Sequence, residues 1–292
     1  MASTFPFFDN PCIFTRELRH LKTALRTWVP QTGTVNVTDT SYETMYLTDC
    51  LPIANQEQRT LIDSFLSDAA THLPPTIKKT SIRAAWKATH PDGTPSNIDE
   101  YLARLISHTY YYAFYFYYST DNYASAHDGK TPSTNPFARR RWAKGADATA
   151  AQHQAAEGKV KVYRNWLLRT IFHQGSNTKE GGQKNQVLIL LPIANVAPNY
   201  QDDWAWSSSE DESALDKLFP PAILGSPDIA VPIGDVPYQS RITGRTEHLP
   251  VVVGLVGAPG SDWELVAAVE RIVTLSGRLS VVRTGKRMFE SP

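Results

Sequence analysis

One stretch of this chain constrains its fold more than any other: SPDIAVPIGDVPYQSRITGRTEHLPVVVGLVGAPGSDWELV, from Ser226 to Val266. Its apolar runs Ile229–Val231 and Val251–Val256 predict two strands separated by a polar turn region. Ser261 and Glu264 then stand at capping-box spacing and predict a helix start. Leu265, Val266, Val269, Ile272 and Val273 carry the helical apolar period onward to about Thr274. Strand, turn, strand and capped helix in that order predict a sheet layered against helices.

Elements upstream fit the same plan. Val187–Leu191 is an unbroken apolar run, the pattern of a strand buried on both faces. Thr149–Phe172 predicts a long amphipathic helix with Val160, Tyr163, Trp166, Leu167 and Ile171 facing inward. Asn55 and Gln58 have capping-box spacing before a stripe of Leu61, Ile62, Phe65, Leu66 and Ala69, and Pro74-Pro75 ends that helix. Thr15 is positioned to cap a helix running to about Val29, with Leu18, Leu21, Leu25 and Trp28 on one face before Pro30. Tyr46–Leu51 predicts a short strand. Asp99–Tyr118 predicts one helix with aromatic residues all round it. Gln31–Ser41, Asp121–Pro136, Gly175–Gln183 and the acidic Ser207–Glu212 stretch read as loops. Strands embedded among helices predict the α/β class.

Composition excludes several roles. Basic and acidic residues number 29 each, so no net field favours nucleic acid or an anionic membrane. The longest basic run, Arg139-Arg140-Arg141, is too short to create one locally. The aromatic run from Tyr110 to Tyr118 has no interleaved basic residue, which favours a core or pocket wall over a base-stacking platform. Cys12 and Cys50 make no disulfide framework. The N-terminal MASTFPFFDNPC lacks the basic and long apolar parts of a signal peptide, and no segment has the apolar length to span a bilayer. A cytoplasmic protein without nucleic-acid or membrane partners is expected.

Several blocks, in order, carry a family resemblance. They are PCIFTREL from Pro11, YLTDCLPIANQEQRTLID from Tyr46, NPFARRRW from Asn135, VLILLPIANVAPNYQDD from Val187, the Ser226–Val266 run, and RTGKRMF from Arg283. Together they resemble the C-terminal half of the amidase-signature hydrolases. They are nearest the large fungal members, including a subgroup described as scytalone dehydratase-like. The resemblance implies a partial amidase-signature fold: a mixed β-sheet flanked by helices, without the family's N-terminal half. Residues 1–292 are expected to form a single domain, helix-rich to about residue 180 and sheet-forming from about 185. It further implies a tailoring or accessory role in fungal secondary or other small-molecule metabolism.

The family's chemistry rests on a serine activated by a bridging second serine and a lysine, with glycines opening an oxyanion site. The Gly-Gly-Ser-Ser-Ser-Gly motif and the upstream lysine are absent from this sequence. No catalytic residue of the family therefore transfers to it, and hydrolysis would require a Ser-Ser-Lys-bearing half. Ser176, Ser226, Ser240 and Ser276 lie nearest glycine or lysine, but none sits in a Gly-x-Ser-x-Gly elbow or a Ser-x-x-Lys pair. Ser240 in Tyr238-Gln239-Ser240-Arg241 stands out, and a turn serine satisfying backbone groups is the simpler reading. Arg241 and Arg245 flank Gly244, suited to clamp an anion or to bridge to Glu247 and loop carbonyls. Tyr238, Ser240, Arg241 and Trp142 are the candidate substrate-binding residues.

The eight histidines are scattered, so no metal site is expected, and His248 reads as a surface residue. Gly181-Gly182 has no phosphate-loop context, and no cofactor is expected. Two other roles stay open: a pseudo-amidase that binds a ligand or a protein, and a non-hydrolytic enzyme built on an aromatic pocket of Tyr110–Tyr118, Trp142 and Tyr238. Half of a shared sheet should expose a strand edge on Val187–Leu191 or its neighbours. That edge invites a partner chain or self-association, unless the chain is part of a longer amidase or has become self-sufficient.

Overall fold

A computed structural model describes residues 5, 7–30, 40–50, 53–73, 77–117, 120–173, 185–200, 202, 213–216 and 219–281. Residues 31–39, 74–76, 174–184, 203–212 and 282–292 lie outside them, and with them Pro74-Pro75, Ser176, Gly181-Gly182 and the RTGKRMF block. The chain divides into two compact units. One comprises residues 1–10, 85–167 and 199–224, the other residues 11–84, 168–198 and 225–292.

The second unit holds a five-stranded mixed sheet. Its strands are β1 (Ser41–Leu47), β2 (Ile77–Thr80), β3 (Asn185–Pro192), β4 (Asp228–Gln239) and β5 (Thr246–Val256), in the order β2-β1-β3-β5-β4. The β1 strand runs parallel to both β2 and β3, whereas β5 is antiparallel to β3 and β4. Buried Val187–Leu191 confirms the expectation of a strand covered on both faces. It is not an edge, however. Residues 41–47 supply its parallel neighbour, residues 246–256 its antiparallel one, and residues 77–80 extend the sheet beyond β1, a strand the sequence patterning did not show. The Tyr46–Leu51 strand is likewise corrected: the strand ends at Leu47, and Thr48–Cys50 turns as a 3-10 helix.

The sheet's two outer strands carry features that discourage further pairing. The β2 edge is four residues long and bears Lys78 and Lys79. The β4 edge contains Pro232 and Pro237 and a register shift between Pro232 and Gly234. Short length, lysines, prolines and bulges all blunt sheet edges.

Three helices belong to this unit: α1 (Leu18–Trp28), α2 (Gln56–His72) and α10 (Asp262–Leu275). Ile62, Phe65, Leu66 and Ala69 of α2 and Leu265, Val269, Ile272 and Val273 of α10 join Leu188, Leu190, Val231, Val251, Val253 and Leu255 in one core. Asn55 caps α2 as expected, its Oδ1 accepting from Gln58 N at 2.9 Å. Gln58 does not complete the capping box. Its buried amide turns to the segment after β3, donating from Nε2 to Ala194 O at 2.5 Å and accepting from Val196 N at 3.0 Å.

Two other caps differ from expectation. Helix α1 starts at Leu18 after Glu17, because Thr15 Oγ1 donates to Glu17 O while Leu18 N finds Ser280 O at 3.3 Å. Of its stripe only Leu25 is buried, and Trp28 is exposed. Ser261 precedes α10 but its Oγ donates to Ala258 O at 2.7 Å instead of capping. The turn after α10 is held by Arg278, which donates to Asp68 at 2.6 Å, Ile233 O at 3.0 Å and Ser64 Oγ at 2.9 Å.

Helix α3 (Ile82–Thr89) straddles the boundary between the units, and Asp49 caps its start, receiving Ser81 Oγ at 2.9 Å and the backbone N–H of Ile82. The first unit adds α4 (Ile98–Tyr101), a π-helical turn (Ser107–Tyr111), α5 (Tyr112–Tyr117), α6 (Thr120–Ala126), α7 (Pro136–Ala146), most of α8 (Ala150–Thr170) and α9 (Phe219–Leu224). The stripe of Val160, Tyr163, Trp166 and Leu167 on α8 is buried throughout, as its periodicity predicts, and Ile171 just past the helix end is buried with it. The Asp99–Tyr118 helix is broken: Arg104 takes φ 56°, and the chain restarts through the π turn. The Asp121–Pro136 loop is corrected too, since Thr120–Ala126 is helical and Asn135 caps α7 through Ala138 N at 2.7 Å.

Candidate functional site

The four residues singled out from the sequence fall in two places. Tyr238, Ser240 and Arg241 share the hairpin between β4 and β5, while Trp142 belongs to α7 in the other unit.

The hairpin is a self-satisfied turn. Gly244 adopts φ +66°, the left-handed conformation that lets the chain reverse there. Ser240 N donates to Arg245 O at 3.0 Å, and Gly244 N donates back to Ser240 O at 2.9 Å. Ser240 Oγ accepts from Thr243 N at 3.3 Å. The serine is 4% exposed, and no histidine, lysine or second serine bonds to it among the described residues. This is the arrangement of a serine that shapes a turn, and an activated nucleophile needs a base within hydrogen-bond reach. Glu247 accepts from Tyr238 Oη at 2.7 Å and from Thr243 Oγ1 at 2.8 Å. Arg241 is exposed.

Two features of this ribbon were not read from the sequence. His248 is exposed on β5, as expected of a surface residue, and its Nδ1 contacts Asp235 Oδ1 on β4. Asp228 opens β4 with its carboxylate against Gly254, where an added Cβ would lie 3.0 Å from Oδ1. Although the residue as a whole is exposed, desolvation of the carboxyl raises its pKa from 3.8 to about 6. In β1, burial above all, and then the Glu264 charge, pushes the Tyr42 hydroxyl up to about 12. Among the described residues no three His, Cys, Asp or Glu side chains gather to hold a metal ion, and no helix is long and apolar enough to cross a membrane.

Around Trp142 the picture is aromatic. Arg141 lies over Phe137 at 3.9 Å and over Tyr111 at 5.2 Å, and Phe114 faces Trp142 at 6.2 Å. Gly145 lets α7 approach the π turn, since a Cβ there would lie 2.1 Å from Tyr111 O. Elsewhere in the unit, His153 Nδ1 donates to His108 O at 2.8 Å and its ring stacks on Tyr112 at 4.3 Å.

No family model matches the chain. Solved structures do resemble it. A 6-aminohexanoate cyclic dimer hydrolase is 15% identical, with TM-score 0.53 over 81% of this chain and 45% of that one. A bacterial aryl acylamidase belonging to the amidase signature enzymes is 13% identical, with TM-score 0.51 over 81% and 44%. Fatty acid amide hydrolase is 14% identical, with TM-score 0.50 over 85% and 42%. The chain is thus an α/β protein with part of an amidase-signature fold, spanning less than half the length of the enzymes it resembles.

Proposed function

We propose that this chain is a non-hydrolytic component of an amidase-signature-type system in small-molecule metabolism. By this reading it supplies fold and ligand contact, and amide bonds are cleaved only where a Ser-Ser-Lys-bearing half completes the site. The resemblance of its ordered sequence blocks to fungal proteins supports a cytoplasmic tailoring or accessory role in secondary metabolism. The observation that carries the reading is Ser240. It is the serine that the sequence placed nearest a site, and it spends its hydrogen bonds on the turn around Gly244. Ligand contact then falls to Trp142, with Arg241 as the exposed cation of the hairpin.

The test is treatment of the purified chain with a fluorophosphonate probe, read by intact mass. No adduct is expected at a probe concentration that fully labels a control serine hydrolase. A stoichiometric adduct on any serine would overturn the proposal and make the chain a hydrolase in its own right.

A further inference from the structure

A one-residue irregularity in β4 decides what its outer half presents to solvent. Before it, Pro232 stands opposite Val252; after it, Gly234 stands opposite Val251, and Ile233 is left without a partner on β5. An unbroken register would set Asp235 opposite Leu249, on the face packed against the core. The extra residue turns Asp235 to the other face, opposite Pro250, and brings Pro237 opposite His248. Directly opposite residues of an antiparallel pair share a face, so Asp235, Pro237, His248 and Pro250 are the corners of one patch. Its two prolines and His248 are exposed. Bulges re-aim side chains in this way, and they concentrate next to active sites. Packing fixes this one: Gly234 faces Leu61 of α2, where an added Cβ would lie 2.8 Å from Cδ2.

Across the diagonal of the patch, His248 Nδ1–H donates to Asp235 Oδ1. A carboxylate only accepts, so this bond holds the imidazole in its Nδ1–H tautomer and leaves the Nε2 lone pair available. The histidine side chain is 57% exposed against 21% for the aspartate, and Nε2 has no hydrogen-bond partner among the described residues. A shielded carboxylate therefore stands behind the ring and an open nitrogen in front of it, the order found in hydrolytic triads.

Two other histidines show the reverse arrangement. The carboxylates of Glu157 and Glu43 lie at the Nε2 atoms of His153 and His173, 3.7 and 3.6 Å away. On the patch, Pro237 and Pro250 flank the pair with apolar rings that carry neither charge nor donor, a setting for an uncharged ligand.

We infer that the Asp235–His248 pair is a nucleophilic acyl-transfer site for small, uncharged aryl esters. His248 Nε2 attacks the ester carbonyl, the bond from the acyl carbon to the aryloxy oxygen breaks, and the aryloxide leaves with the electron pair. The resulting imidazolium carries the acyl group on Nε2 and keeps its Nδ1–H on the Asp235 carboxylate, which offsets the new charge. Water then adds to the acyl carbon, the bond to Nε2 breaks, and the carboxylic acid departs as His248 is restored. One ester and one water give one acid and one phenol. An amine is too poor a leaving group for this attack without a donor to the oxyanion, so amides are left intact. No serine takes part, and a serine adduct with the fluorophosphonate would leave this site untouched.

The experiment follows nitrophenolate release from p-nitrophenyl acetate by the full chain, and nitrogen NMR of the labelled histidine rings reads their tautomers. His248→Gln should remove the larger part of the histidine-dependent rate. His20→Gln and His127→Gln, exposed rings without a hydrogen-bonded carboxylate among the described residues, should leave the rate unchanged. Asp235 is a positioning residue: Asp235→Asn should lower the His248-dependent rate about tenfold, the worth of one charge-assisted hydrogen bond, and abolish the Nδ1–H preference at His248. A melting curve checks that each variant stays folded, and the tautomer of His248 in the unmodified chain needs no variant beyond the one that assigns its signal. An Nε2–H tautomer there would overturn the inference. So would a His248→Gln rate no lower than that of His20→Gln, or an Asp235→Asn chain with rate and tautomer unchanged.

Discussion

Gln58 offers a test of how the segment leaving β3 is held. Its amide is 1% exposed and makes two opposed bonds, one to Ala194 O and one from Val196 N. Gln58→Leu keeps the volume and removes both. Ala194 is exposed, so water replaces the lost donor there at little cost. Val196 is half-buried, and leaving its N–H unpaired costs part of that group's desolvation. One lost bond at about 1 kcal/mol and a partial penalty of about 1 kcal/mol give about 2 kcal/mol, offset slightly by leucine's apolar burial. Gln58→Glu is expected to cost more, because it puts a charge on a buried side chain and sets a carboxylate oxygen against the Ala194 carbonyl. Urea unfolding with an unchanged m-value measures the loss, and amide exchange at Val196 localises it. If Gln58→Leu unfolds within 0.5 kcal/mol of the parent, on the order of the spread for neutral surface changes, and Val196 exchanges no faster, the clamp is not holding the segment.

Two further outcomes follow from single contacts. Asp228 has a folded pKa of about 6 against 3.8 unfolded, so the folded state binds the extra proton and stability falls as pH rises across that window. Asp228→Asn should remove that slope and add up to about 1 kcal/mol at neutral pH, a value discounted for the residue's exposure, with the two stability curves converging below pH 3.8. Gly145→Ala sets a methyl 2.1 Å from Tyr111 O, a backbone atom that cannot swing aside. It should cost about 3 kcal/mol or more by thermal melting, whereas Gly158→Ala, with open space around it, should be neutral or slightly stabilising.

How much of this was legible depended on whether a segment's partners were near it in sequence. The α8 stripe and the β4–β5–α10 succession were readable because periodicity and caps are local, and both ribbon strands proved longer than their apolar cores. The β2 strand was not read: Ile77–Thr80 is four residues with two lysines, and it is a strand only because β1 runs beside it. The break at Arg104 left no glycine, proline or cap signal in an otherwise helical pattern. At the site, Ser240 as a turn residue followed from Tyr-Gln-Ser-Arg beside Gly244. The Trp142 indole N–H, shielded and without a hydrogen-bond partner among the described residues, did not, since a missing partner is a property of packing and leaves no mark in the residue itself.

The central position of β3 also sets a clock. During synthesis β1 and β2 emerge early, but the strand that covers the other side of β1 follows only after residues 81–184 have been made. At about 5–20 residues per second that is a wait of roughly 5–20 s, during which Tyr42, Met45 and Tyr46 have no sheet partner on that side. Residues 85–167 belong to the other unit, so most of that interval goes to making the larger part of that body. The two units are thus interleaved along the chain, and the sheet closes only when β4 and β5 arrive. The chain's yield in a cell should depend on chaperone access to β1 more than on the final stability of the sheet.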